Sequence, residues 1–169
     1  TLLAAAERSR ARIEAGIDLI RRDRWARLSF QAMNEAIARA ARRRNAGRNG
    51  DPAAQKPPKW RPFQLAFILL NLPGLNDKLH ADREIVDLLF FPTGGGKTEA
   101  YLGLAAWTIA HRRLTAAGKL GAGVSVLMRY TLRLLTLDQL GRASGVVCAL
   151  ELMRGEPAWM EGGKKLLGD

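Results

Sequence analysis

Seven consecutive residues near the middle of the chain have the types and the order of a phosphate-binding loop. They read Pro-Thr-Gly-Gly-Gly-Lys-Thr and occupy positions 92–98. Glycines let the backbone curl tightly, so that its N–H groups can surround a polyphosphate without side chains in the way. Lys97 can reach the β- and γ-phosphates of a nucleotide, and the hydroxyl of Thr98 can coordinate Mg²⁺. The residues assigned to this nucleotide site are Thr93, Gly94, Gly95, Gly96, Lys97 and Thr98, with Lys97 and Thr98 as catalytic residues and Thr98 as the metal ligand.

The segments around the loop predict the strands and helices that such a site needs. Residues 85–91, IVDLLFF, are mostly apolar, which is typical of a strand buried on both faces of a parallel sheet. A helix is predicted from about Lys97 to Arg113, and its N-terminal amides and dipole would point at the anion. A second strand over 124–128 and a helix over about 132–153 complete a βαβ unit. The predicted fold class is therefore α/β, with an incomplete parallel sheet.

Glu99 lies directly after the loop, in the first turn of the predicted helix. The helix dipole favours a carboxylate at that place, and this account is sufficient. Glu99 is therefore not assigned a role as a catalytic base.

A second candidate segment lies about thirty residues before Lys97, where Arg61 and Gln64 belong to the run Trp-Arg-Pro-Phe-Gln. A glutamine amide both donates and accepts hydrogen bonds, which suits the N6/N7 edge of adenine. The segment also fits a helix N-terminus with Pro62 in its first turn, and this structural explanation stays open.

A third candidate segment follows the second predicted strand. It contains Arg129, Thr131 and Arg133, which can donate hydrogen bonds to nucleic-acid phosphates. Ligands of open α/β sheets bind beyond the carboxyl ends of the strands, which would place these residues at the same edge as the loop. The alternative is a helix start with exposed arginines.

The charge is concentrated in the first third of the chain. Of the net charge of +11, residues 1–61 carry +9, from 15 basic and six acidic residues. Such a field attracts phosphate backbones through long-range attraction and counterion release. A solvated helix face is the alternative interpretation, so the charge alone does not decide for nucleic acid.

The chain of 169 residues divides by composition into four parts. Residues 1–44 predict a basic helical arm with apolar stripes at helical spacing and a break near Asp23. Residues 45–60 are rich in Gly, Pro and Asn and predict a linker or loop. Residues 61–155 contain the predicted sheet and loop, and residues 156–169 predict a surface tail that leads into further sequence. The first residue is Thr1, not Met, which favours a piece of a longer chain.

Several classes of protein are excluded or disfavoured by composition. Cys148 is the single cysteine, which excludes a disulfide framework, and with His80 and His111 it is too few for a His/Cys metal cluster. The apolar runs are far shorter than the roughly 18 residues of a membrane span. Since no secretory signal opens the chain, the expected location is cytoplasmic, without membrane partners.

Four segments together resemble a known family. They are RPFQ at 61–64, DLLFFPTGGGKTEAYLGL at 87–104, RYTLRLLTLDQLGRA at 129–143 and CALELMR at 148–154. The loop has Phe91 where the general G-x-x-x-x-G-K-[ST] pattern has glycine, but it keeps the P-T-G-x-G-K-T form of helicase-like ATPases. Over roughly residues 12–155 the chain resembles the superfamily 2 helicase component of the bacterial DISARM anti-phage defence system.

This resemblance implies a DNA helicase or translocase with two RecA-like domains, working with other subunits of a defence complex. ATP and Mg²⁺ would bind at Gly94, Gly96, Lys97 and Thr98. Gln64 would contact the adenine, and Thr131 with Arg129 would lie on the path of the DNA. Arg61 would belong to the same cofactor site as Gln64.

Two departures from the family limit what this chain could do. Neither an Asp-Glu box nor a second motor domain follows the loop within the sequence. Since phosphoryl transfer needs those groups, the 169-residue chain is not expected to hydrolyse ATP by itself. The alternatives are a non-catalytic ATP-binding adaptor of a nucleic-acid complex and, less well supported, a P-loop kinase.

Overall fold

The computed structural model describes residues 1–48, 50–92, 94–116, 118–129 and 133–168, with the backbone alone for residues 118, 119 and 133–136. Within these residues the chain consists mainly of helices. The helices are α1 (Leu2–Arg22), α2 (Arg24–Ala46), α3 (Pro62–Asn76), α4 (Lys97–Thr115) and α5 (Arg133–Arg154). Short 3₁₀ turns lie at Pro52–Ala54, Ala81–Glu84, Gly118–Gly121 and Pro157–Trp159, and a hairpin is formed by β1 (Met160–Glu161) and β2 (Lys164–Lys165).

The predicted α/β fold class, with the parallel sheet of a RecA-like domain, is wrong for the part of the chain that the structure describes. The strands there are the short β1 and β2, which pair antiparallel. Residues 85–92 and 124–129 contain neither helix nor strand among their described positions. Val86 is 95% exposed and Phe90 is 90% exposed, so these apolar side chains lie in solvent. An apolar run predicts burial, but it does not specify the neighbouring strand that a sheet needs for hydrogen bonding.

The predicted break at Asp23 is confirmed. Helix α1 ends at Arg22 and α2 begins at Arg24, with Asp23 between them in an extended conformation (φ −98°, ψ 121°). The Asp23 carboxylate accepts a hydrogen bond from the backbone N–H of Ala26 at 2.8 Å. One of the free donors at the start of α2 is thereby satisfied, which favours a new helix at this residue.

The hydrophobic core lies where α2, α3, α4 and α5 meet. Helix α2 packs on both α4 and α5, while α1 packs on α3. The largest buried apolar side chains are Met33, Ile68, Leu72, Trp107 and Met153. Because the core takes side chains from all these helices, the division into an arm, a linker and a motor part stays a prediction.

Trp60 and the first half of α3 contact both α2 and α4. Trp60, just before α3, donates from Nε1 to Asn34 Oδ1 on α2 at 2.6 Å. A Cβ at Gly103 of α4 would lie 2.9 Å from Ile68 Cδ1 and 3.0 Å from the Trp60 ring, so a larger residue there would require these side chains to shift. A hydrogen bond from Gln64 to Gly96 O places the glycine loop before α4 beside the first turn of α3.

Candidate phosphate-binding site

The glycines of the loop are required by its geometry. Gly94 and Gly96 have φ angles of +79° and +88°, a region that residues with side chains rarely adopt. A Cβ at Gly95 would lie 2.4 Å from the Phe91 ring. Gly96 is the N-cap of α4, so Lys97 and Thr98 occupy its first turn. Thr93 lies outside the described residues.

The first turn of α3 holds the loop in place. Gln64, which is 4% exposed, donates from Nε2 to Gly96 O at 2.7 Å and accepts at Oε1 from the Arg61 N–H at 2.8 Å. The Arg61 guanidinium donates to Gly95 O at 2.8 Å. Phe63 stacks on Phe91, with ring centroids 4.1 Å apart. The two residues predicted at the cofactor site thus contact the loop itself, whereas contact of Gln64 with adenine stays a prediction.

Lys97 reaches back across the loop. Its amino group donates to Phe91 O, and also to Pro92 O at 3.2 Å. The first-turn amides of a helix have no carbonyl partners inside the helix and attract anions. Lys97 therefore adds a positive charge to the positive end of α4.

The loop opens into a cleft of about 670 Å³. The cleft is lined by Lys59, Arg61, Gln64, Gly94, Gly96, Lys97, Thr98, Glu99, Tyr101, Gln139 and Arg142. Four of these side chains are basic and one is acidic, so the cleft favours an anionic ligand.

Helix α5 supplies a wall of the cleft to which the sequence reasoning assigned no role. Gln139 is 8% exposed and lies one helical turn before Arg142. Arg142 donates to Glu99 Oε1, and Arg44 of α2 lies 3.9 Å from the same oxygen. The Glu99 carboxylate is therefore stabilised both by the helix dipole and by an ion pair with Arg142, which links α4 to α5. A spacing of 43 residues between Glu99 and Arg142 carries no local sequence signal for this contact.

Of the three predicted nucleic-acid residues, Arg129 is the one whose side chain the structure describes, and it does not line the cleft of the loop. Arg129 is exposed and lines a second cavity of about 430 Å³ with Leu104 and with Tyr101, which also lines the cleft of the loop. Thr131 lies outside the described residues, and Arg133 is described by its backbone at the start of α5. The predicted edge of the sheet is absent from the described segment, so nothing there aligns Arg129 with the loop.

Some arginines of the basic arm form ion pairs with acidic side chains, and others are exposed. Arg39 binds Glu35 and Glu156, and the hydrogen bond to Glu156 is the main cause of the raised pKa of Arg39. Arg12 likewise binds Asp82 and Asp87, with distances of 2.6–2.8 Å. In contrast, Arg43 is exposed at a groove between α2 and α5. Part of the positive charge therefore stabilises the fold instead of facing a ligand.

Within the described residues, no helix has the length and apolar character needed to cross the bilayer. The same residues contain no group of three or more His, Cys, Asp or Glu side chains that could hold a metal ion.

Comparison with known proteins gives one informative similarity. No family model matches the chain, and no solved structure matches it. The chain spans 9% of the length of a curated relative from Bacillus paralicheniformis. It is 58% identical over 100 residues, 57% of this chain, to that relative, which is the DISARM protein DrmA, and the resemblance predicted from the motifs is thereby confirmed.

Proposed function

We propose that this chain contributes the ATP-binding loop of an ATP-dependent DNA helicase or translocase that acts in anti-phage defence. The observation that carries the proposal is the glycine turn that places Lys97 and Thr98 in the first turn of α4, inside a basic cleft. The similarity to DrmA supports the defence context. DNA and other subunits of a defence complex are the proposed partners.

Different groups of the loop would bind the phosphates and the Mg²⁺ of the ligand. Backbone amides at the start of α4 would donate to phosphate oxygens, and the dipole of the 19-residue helix would add to the attraction. The Lys97 amino group would exchange the carbonyls of Phe91 and Pro92 for phosphate oxygens. The Thr98 hydroxyl would coordinate Mg²⁺, which supplies charge neutralisation during phosphoryl transfer.

The cleft supports binding more strongly than hydrolysis. Positioning and activating water needs a free carboxylate or a similar group near the terminal phosphate. Glu99 is the one carboxylate among the described residues of the cleft lining, and it is held by Arg142. ATP hydrolysis in the intact protein would therefore draw on residues from other parts of that protein.

Binding of Mg-ATP to the intact protein tests the proposal. Lys97→Ala removes charge-assisted hydrogen bonds to phosphate, and we expect affinity measured by titration calorimetry to fall about 30- to 100-fold. Lys56→Ala, in the exposed segment before α3, is the matched control and should bind as the wild type does. Equal affinity of the two variants would refute the proposed site.

ATP turnover by the wild-type intact protein separates the motor from the adaptor. DNA-stimulated hydrolysis that is lost in Lys97→Ala supports the motor. Tight binding of Mg-ATP without hydrolysis, with or without DNA, supports the adaptor.

A further inference from the structure

The Arg142 side chain lies at the phosphate loop although it belongs to α5. A Cβ at Gly96 would lie 3.5 Å from Glu99 Oε2, so the Glu99 carboxylate covers the last glycine of the loop. Arg142 binds the other oxygen of the same carboxylate. The guanidinium therefore binds a carboxylate that lies beside Gly96, at the start of α4 where a phosphate would bind.

Arg142 retains an unused donor in this position. Its side chain is 18% exposed, and its Nε is buried with no hydrogen-bond partner among the described residues. A buried donor without a partner costs free energy, and a guanidinium commonly binds phosphate through two parallel N–H groups. The Nε and the neighbouring amino group of Arg142 are suited to such an acceptor.

Gln139 shows the same feature independently. It is more than nine-tenths buried and lines the cleft, and its Oε1 has no hydrogen-bond partner within the described residues. A phosphate oxygen cannot satisfy an acceptor, but a hydroxyl of the ligand or a water on Mg²⁺ can. Two residues of the α5 wall thus carry a buried polar atom without a partner among the described residues, a donor on Arg142 and an acceptor on Gln139, and both residues line the cleft.

We propose that Arg142 is a phosphate-binding residue of the nucleotide site, and that α5 forms the second wall of that site opposite Lys97. The inference rests on the proposed function and adds a ligand contact from outside the loop. Glu99 positions the guanidinium in this arrangement, and the Nε side of Arg142 contacts the phosphate. Without Arg142, the Glu99 carboxylate would face the phosphate directly and repel it.

Two roles of Arg142 must be separated by experiment, because a residue that only neutralises Glu99 would also favour anions. The probes are Mg-ATP and Mg-tripolyphosphate, and the affinity of the intact protein for each is measured by calorimetry. We expect Arg142→Gln to weaken both about 10- to 100-fold. In the background of Glu99→Gln, the same substitution should still weaken both at least about 10-fold, since the phosphate contact is lost there too.

Arg142→Lys keeps the charge and the ion pair but removes the paired N–H geometry. We expect an intermediate loss of about 3- to 10-fold for both probes. This variant keeps the test decisive where Arg142→Gln fails to fold, which thermal unfolding of each variant would show. Arg154→Gln is the matched control, because Arg154 binds Glu151 on the same helix outside the cleft. The control should bind both probes as the wild type does.

The outcomes are distinguishable. If the wild type binds both probes, Lys97→Ala loses them and Arg142→Gln does not, the inference fails and the proposed function stands. A loss with Arg142→Gln that disappears in the Glu99→Gln background assigns Arg142 to neutralising Glu99 and overturns the inference. If the wild type binds neither probe, the proposed function and the inference fail together.

Discussion

Gly96→Ala tests the most constrained position of the loop. At φ +88° an alanine is strained, at a cost of about 1–2 kcal/mol. The added Cβ would also lie 2.8 Å from Gln64 Nε2, which donates to Gly96 O. Loss of that buried hydrogen bond costs about 1 kcal/mol more. We therefore expect the free energy of unfolding to fall by about 2–3 kcal/mol.

Gly163→Ala is the control that isolates the strain. Gly163 has a φ of +78°, and an added Cβ there would meet nothing within 4 Å. Its substitution should cost about 1–2 kcal/mol through the backbone alone. Urea unfolding of the intact protein, followed by tryptophan fluorescence, compares the two variants, and calorimetry compares their affinities for Mg-ATP. Equal losses of stability, with Mg-ATP affinity unchanged in Gly96→Ala, would refute the role of Gln64 in holding the loop.

Two further predictions concern pH and DNA. Burial lowers the pKa of His111 below 6.5, so the unfolded chain takes up the proton first and stability should decline as the pH falls below 6.5. His111 stacks on Trp107, and His111→Phe keeps an aromatic ring there while removing the titrating group. The free energy of unfolding of both proteins is measured with urea between pH 7.5 and 5.5. The same dependence on pH in the wild type and the variant would contradict the prediction. For DNA, Arg43→Gln should weaken binding and reduce the salt slope by about one, because the exposed Arg43 would neutralise one phosphate. Arg8→Gln on α1 is the control, and salt dependence is measured by fluorescence anisotropy titrations. Equal slopes for the two variants would show that Arg43 lies on a solvated helix face and does not bind DNA.

The helices and the loop could be predicted because their signals are local. Asp23 ends one helix and begins the next through a hydrogen bond to Ala26, three residues along the chain. The glycines at 94 and 96 adopt the positive φ angles for which glycine is suited. Lys97 and Thr98 follow at once and occupy the first turn of α4. Each of these features depends on near neighbours in the chain, so the residue types were sufficient.

The sheet could not be predicted in the same way. The prediction over 85–91 and 124–128 used apolar character, which measures a preference for burial and not the identity of a partner. Pairing of strands is decided by hydrogen bonds between distant segments, and in the described part of the chain these two runs pair with nothing in a sheet. The exposed Val86 and Phe90 show that the preference is not satisfied there.

The sequence by itself predicted the glycine loop, the likeness to a DISARM protein and the approximate positions of α1, α2, α4 and α5. The tertiary structure decided which side chains surround the loop. Gln64 and Arg61 reach it from α3, and Arg142 reaches Glu99 across 43 residues. These contacts join residues that are far apart in the chain, and no local pattern of residues encodes them. The surroundings of the site therefore became visible only in the folded chain.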